Sequence, residues 1–182
     1  MSKVLVVVDM QKDFVDGALR NEEAIEIVPY VKEKIRKAKE DGTKVIFTLD
    51  THDEGYMGTE EGKNLPVPHC IRGSEGWKIL DELEPEKYGD EFFEKETFGS
   101  TALARYFTEN KEETDEVEFI GVCTDICVIS NVLLTKAVLP NKVITVDAAG
   151  CAGVTPKAHR TALDAMKACH IRVINEGQAA EA

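Results

Sequence analysis

The residues Gly121-Val122-Cys123-Thr124-Asp125-Ile126-Cys127-Val128 join a short apolar run to a long helical pattern. Thr124 reads as an N-cap, which places Cys127 in the first helical turn. A thiol there meets the positive end of the helix dipole and unpaired backbone N–H groups. Both favour the thiolate, the nucleophilic form of cysteine. The same amides could receive an oxyanion, so one turn can supply a nucleophile and part of its transition-state support. The alternative is a structural cysteine on the inner face of the helix, a common fate of free thiols.

Three further residues stand where apolar runs end. Asp9 closes the first run, Asp50 closes the second, and Lys95 follows a weak third run at 91–94. In open α/β sheets, ligands bind beyond the carboxyl ends of the strands. If the sheet is parallel, these residues and Cys127 lie along one edge. A carboxylate there can take the thiol proton. An ammonium favours both thiolate and carboxylate, and steadies developing negative charge. Taken singly, Asp9 could order a loop and Lys95 could be a surface lysine; their joint placement points to chemistry.

A second constellation is Asp50-Thr51-His52 with His69. Side chains two apart in extended chain point the same way. Asp50 and His52 could therefore hold one ion, with His69 reaching in from a long loop and Glu60 or Glu61 adding a carboxylate. Mixed N/O donors suit zinc, iron or manganese. Pro66 and Pro68 stiffen the approach to His69.

The pattern around these residues alternates. Residues 3–8, 44–49, 91–94, 117–122, 142–146 and 171–174 read as strands. Residues 24–40, 100–108, 125–138 and 156–168 read as helices, with 77–83 as a short one. Thr155 caps the last helix and Pro156 occupies its first position. Residues 51–75 read as a long loop. Runs that are apolar throughout, separated by helices, imply a three-layer α/β sandwich with a mostly parallel central sheet. Residues 178–182 read as a frayed tail.

The chain has 182 residues and a net charge of -12, which fits one domain over residues 1–182 and argues against a nucleic-acid surface. No run is long enough to span a bilayer, and the opening apolar run is too short for a signal-peptide core. Five cysteines, Cys70, Cys123, Cys127, Cys151 and Cys169, fit reduced thiols in the cytoplasm. His159 and His170 read as helix-surface or helix-end residues. Trp77, after Gly73-Ser74-Glu75-Gly76, could belong to a lid or anchor the loop, and Tyr56 could line a pocket or a partner surface. A glycine-rich phosphate loop is not found after the first strand, where Asp9-Met10-Gln11 stands, so a nucleotide-binding domain is poorly matched.

Over essentially its whole length the chain resembles the isochorismatase-like cysteine hydrolases. The carriers are Val6-Val7-Val8-Asp9-Met10-Gln11-Lys12-Asp13-Phe14, Lys95 ahead of Phe98-Gly99-Ser100, Gly121 to Val128, and Asp147-Ala148. The resemblance implies a Rossmann-like three-layer fold and a triad of Asp9, Lys95 and Cys127. It also implies a cis peptide between Val122 and Cys123, with the Cys123 and Cys127 amides turned inward as an oxyanion hole. Asp50-x-His52 and Pro66-Val67-Pro68-His69-Cys70 resemble the metal site of the family's nicotinamidase branch, where a glutamate can join the ligands; Glu61 is the nearest match. The expectation is one divalent metal ion, most simply zinc, with iron or manganese as alternatives. The expected reaction is hydrolysis of nicotinamide to nicotinate and ammonia, with Phe14 and Phe98 flanking the ring and pyrazinamide as a second substrate. Self-association is common in the family. The alternatives are another small amide, a carbamoyl compound or isochorismate, and, in a different class, a catalytically silent scaffold.

Overall fold

The computed structural model describes residues 2–177; the tail expected at 178–182 lies outside them. Six strands form one sheet in the order β3-β2-β1-β4-β5-β6. They are β1 (Lys3–Val8), β2 (Lys44–Asp50), β3 (Glu91–Lys95), β4 (Glu116–Val122), β5 (Val143–Ala152) and β6 (Arg172–Ile174). Every pairing is parallel, so all strand carboxyl ends point the same way.

Helices cover both faces, and Val4 to Val8 of β1 are accordingly apolar and buried. Val4, Val6 and Val8 pack on one side with Leu103, Phe107, Val132 and Met166, drawn from α5 (Thr101–Glu109), α6 (Ile129–Val138) and α7 (Pro156–Ala168). Leu5 and Val7 pack on the other side with Val31 and Ile35 of α2 (Glu22–Glu40). Each such side chain contributes roughly 1.5–3 kcal/mol on burial. The two cores therefore hold β1 from both faces and fix the position of its end.

Helix α2 starts where Asn21 accepts hydrogen bonds from the Glu23 and Ala24 amides. Thr155 caps α7 through the Ala158 amide, with Pro156 at the first position, as the sequence predicts. Shorter helices are α1 (Lys12–Val15), α3 (Glu60–Asn64) and α4 (Pro85–Tyr88).

Four expectations need correction. Thr124 is not the cap of the helix that follows β4. Cys123 holds that position, Thr124–Val128 form a π-helical turn, and α6 proper starts at Ile129. Thr124 is instead buried and bonded to His159. Within 77–83 only Asp81–Leu83 is helical, because Ile79 is drawn into an antiparallel bridge with Gln11. Residues 51–75 are not plain loop: Tyr56–Gly58 form a 3-10 turn, α3 follows, and His52 bridges Ile71. Finally, β5 does not stop at 146 but runs on to Ala152, past a register shift against β4.

Candidate active site

Asp9 follows β1 in a left-handed conformation, φ 49°, which aspartate tolerates better than most residues. Its amide bonds the Thr48 carbonyl at 3.3 Å, and Thr48 Oγ1 donates to Asp9 Oδ1 at 2.6 Å. Opposite it, Gly121 has φ 119°, and a Cβ there would fall 2.1 Å from the Val8 carbonyl oxygen. Only glycine lets β4 approach the end of β1 so closely.

Lys95 ends β3, an edge strand whose other residues are largely exposed, yet Lys95 itself is 4% exposed. The β2–β3 register puts it directly beside Asp50. Its Nζ lies 2.6 Å from Asp9 Oδ2, 3.0 Å from Asp50 Oδ1 and 3.5 Å from Cys127 Sγ. Lys95 Nζ thus bridges the Asp9 carboxylate and the Cys127 thiol. The structure thus brings Asp9, Lys95 and Cys127 together. The Val122–Cys123 peptide is cis. The Ile126 and Val128 amides both bond the Cys123 carbonyl at 3.0 Å, which closes the turn that carries Cys127.

Asp50 has two faces. Oδ1 meets Lys95, while Oδ2 lies 3.0 Å from His52 Nε2 and 3.4 Å from His69 Nε2. Glu61 Oε1 stands 3.7 Å from both histidine nitrogens. Glu60, the other candidate, is exposed and pairs with Lys63. One donor atom from each of Asp50, His52, Glu61 and His69 lies within 4.8 Å of the others. His69 Nδ1 donates to the Val67 carbonyl at 2.8 Å, so Nε2 is the nitrogen left for a ligand. Two imidazoles and two carboxylates in a largely buried cluster fit a divalent transition metal. Tyr56 is buried against both histidine rings, with centroids 4.7 and 5.0 Å away.

Both groups open on one cavity of about 850 Å³. Asp50, Glu61, His69, Cys123 and Cys127 line it, as do Phe14 and Phe98. Phe14 packs edge-on to His69, centroids 5.5 Å apart; Phe98 is 43% exposed and sits at the rim. Trp77 is an anchor rather than part of the cavity wall: its Nε1 donates to Thr51 Oγ1 at 2.8 Å.

The electrostatics separate the two aspartates. Burial raises the Asp9 carboxyl above its ordinary range, and Lys95 offsets only part of this. Burial acts on Asp50 too, but the hydrogen bonds from His52 and His69 and the charge of Lys95 outweigh it and hold its carboxyl well below the ordinary range. Burial also works against the Lys95 charge, yet Asp9, Cys127 and Asp50 hold it protonated well above the usual lysine range. The thiol departs from the sequence expectation of a stabilised thiolate. Burial, then Asp9, push the Cys127 thiol well above its usual range, and Lys95 opposes only in part. The resting pair is therefore a thiol beside a carboxylate of raised basicity, suited to passing one proton between them.

Three residues that sequence reasoning passed over hold this arrangement. Thr48 fixes Asp9. Gln11 clasps the Asp50 backbone, its Oε1 accepting from the Asp50 amide at 2.7 Å and its Nε2 donating to the Asp50 carbonyl at 2.8 Å. Asn131 donates to the Cys127 carbonyl at 2.8 Å and to the Phe98 carbonyl at 3.1 Å, and accepts from the Ser100 amide at 2.9 Å. A lone asparagine four residues beyond Cys127, in the mainly apolar helix Ile129–Val138, was the available signal.

Comparison with known proteins agrees with the geometry. The isochorismatase domain family matches residues 3–178. An isochorismatase family protein, PncA, of Bacillus subtilis (strain 168) is 35% identical over 147 residues, covering 71% of this chain and 75% of the relative. Among solved structures, the pyrazinamidase of Pyrococcus horikoshii in complex with zinc superposes with a TM-score of 0.80 at 29% identity, over 96% of this chain and 99% of that one. The nicotinamidase PncA from Bacillus subtilis gives 0.82 at 26% identity, over 95% and 99%. The chain belongs to the isochorismatase family, in its nicotinamidase branch.

Proposed function

We propose that the protein hydrolyses nicotinamide to nicotinate and ammonia through a thioester on Cys127. The observation that carries this reading is the double role of Asp50. One oxygen meets Lys95 of the Asp9–Lys95–Cys127 cluster and the other faces both histidines of the donor group. A nucleophile and a ring anchor thereby share one wall of one cavity.

In this mechanism Asp9 takes the proton of Cys127 as Sγ attacks the carboxamide carbon. The carbonyl π pair moves to oxygen, where the Cys123 and Cys127 amides donate to it; losing one such donor typically costs about 10²–10³ in kcat. Asp9 then gives its proton to the departing nitrogen, and ammonia leaves as the C–N bond breaks. A water, deprotonated by Asp9, cleaves the thioester and releases nicotinate. Lys95 stays protonated throughout and balances whichever of Asp9 and Cys127 carries the negative charge. Phe14 and Phe98 flank the ring. A divalent ion held by Asp50, His52, Glu61 and His69 would supply a Lewis-acid anchor for the pyridine nitrogen, and the mixed N/O donors suit zinc first, then iron or manganese. Pyrazinamide, with a similar ring nitrogen and carboxamide, is the second substrate. The reading further takes residues 1–182 as one domain, with the metal donors and cavity rim on the segment near 50–78. It assigns the chain to pyridine-nucleotide salvage in the cytoplasm. Among the described residues no helix is long and apolar enough to cross a membrane.

Ammonia release from nicotinamide, measured as purified, after chelation, and after adding back zinc, iron or manganese, tests this. The expected result is turnover that falls on chelation and returns with metal. No turnover under any metal condition overturns the nicotinamide assignment and moves the substrate to another amide or to isochorismate.

A further inference from the structure

Between Cys123 and Cys127 lie two polar side chains that the mechanism does not use. Thr124 is fully buried, and its Oγ1 is 2.8 Å from Nδ1 of His159, in the first turns of α7. Asp125 Oδ1 accepts the Val154 amide at 2.9 Å. Gly153, next to Val154, admits no side chain: a Cβ there would lie 2.8 Å from Asp125 Oδ1 and 2.8 Å from the His159 amide nitrogen. The β5–α7 connection is therefore pressed against Asp125 and the start of α7. Asn21 ties it down from the far side, donating to the Gly153 carbonyl at 2.9 Å, and Asn21 itself lines the cavity.

His159 is not needed for the packing of α7, whose buried face consists of Ala162, Leu163 and Met166. Its polar contact is with the nucleophile turn. Burial lowers the His159 pKa below its ordinary range, and Asp125 counters only part of that. A neutral ring therefore meets the Thr124 hydroxyl, one partner donating and the other accepting.

We propose that His159 is a positioning residue for the oxyanion-binding turn. Through Thr124 it fixes the stretch of backbone that carries the Cys123 and Cys127 amides. A displacement of those amides by a fraction of an ångström would weaken support for the tetrahedral intermediate without touching the nucleophile itself. The inference rests on the reading of Cys127 as nucleophile given above.

The test separates the oxyanion site from the thiol. Pyridine-3-carbaldehyde probes the first: the Cys127 sulfur bonds to the aldehyde carbon, the C=O π pair moves to oxygen, and the thiol proton ends on that oxygen or on Asp9. Iodoacetamide probes the second: sulfur displaces iodide and no oxyanion forms. His159→Phe keeps the ring bulk and removes the nitrogen. It should weaken aldehyde binding and lower kcat by roughly tenfold each, with KM for nicotinamide and the alkylation rate of Cys127 unchanged within about twofold. His159→Asn, which can restore a polar atom near Nδ1, should recover most of the loss. Thr124→Val breaks the same bond from the other end and serves if His159→Phe does not fold; where both fold, the double variant should be no worse than either alone. Unchanged aldehyde affinity and kcat, or an alkylation rate that falls in parallel with them, overturns the proposal. A wild-type protein that does not turn over nicotinamide would instead sink the substrate assignment, and aldehyde affinity would still judge the His159 contact.

Discussion

The two halves of the site are built differently. Asp9 and Lys95 stand at the ends of β1 and β3, and Cys127 sits on the turn after β4. Of the four donors, Asp50 alone ends a strand; His52, Glu61 and His69 come from the segment that follows β2. The first group is held by the sheet and its two cores. The second depends on local devices: the Tyr56 ring against both histidines, the Val67 carbonyl on His69, and the Thr59 cap of α3, which presents Glu61. The Asp9–Lys95–Cys127 cluster is thus on rigid scaffold, and most of the donor set is on a connecting segment. The opposite shifts of Asp9 and Asp50 express the same division: one is raised, as the proposed proton transfer requires, and the other is held ionised between a lysine and two imidazoles.

Perturbing each half should therefore give separable losses. Cys127→Ala should reduce nicotinamide turnover by about a millionfold, to background, with the metal content of the protein unchanged; loss of metal in that variant would show that the halves are not independent. Asp50→Asn comes next, because it damages both. After chelation, its residual rate should lie roughly tenfold below that of chelated wild type, since Lys95 has lost a partner. Chelated His69→Ala should match chelated wild type. Equal residual rates for the two variants would break the claim that Asp50 links the regions. The smallest effect belongs to Glu61→Gln, which should weaken metal affinity by about ten- to a hundredfold and leave turnover intact at saturating metal, as a metal titration of activity would reveal.

The comparison also explains what could be read from the sequence. Asp9, Asp50, Lys95 and the Cys127 turn were legible because a strand's end is marked by the end of an apolar run, and parallel strands place their ends together. Asp50, His52 and His69 were legible from residue type and spacing. The residue pattern alone did not choose between Glu60 and Glu61, which only the family resemblance separated, because the choice depends on the phase of a one-turn helix that faces its second residue inward. The Asp50–Lys95 contact was not legible either, since it follows from the β2–β3 register and not from any local pattern. Thr48 and Gln11 act across 39 positions of chain on Asp9 and Asp50; nothing adjacent to them signals it. The thiol was misjudged for a related reason. Dipole, lysine and carboxylate were visible in the sequence, whereas the burial that outweighs the lysine is a property of the folded site.

Covalent catalysis by Cys127 can be tested directly by peptide mass spectrometry of the metal-loaded enzyme, quenched in acid during turnover of nicotinamide. A nicotinoyl adduct is expected on the peptide containing Cys127. An adduct on a different residue, or continued turnover after Cys127 has been fully alkylated, would contradict covalent catalysis by that thiol.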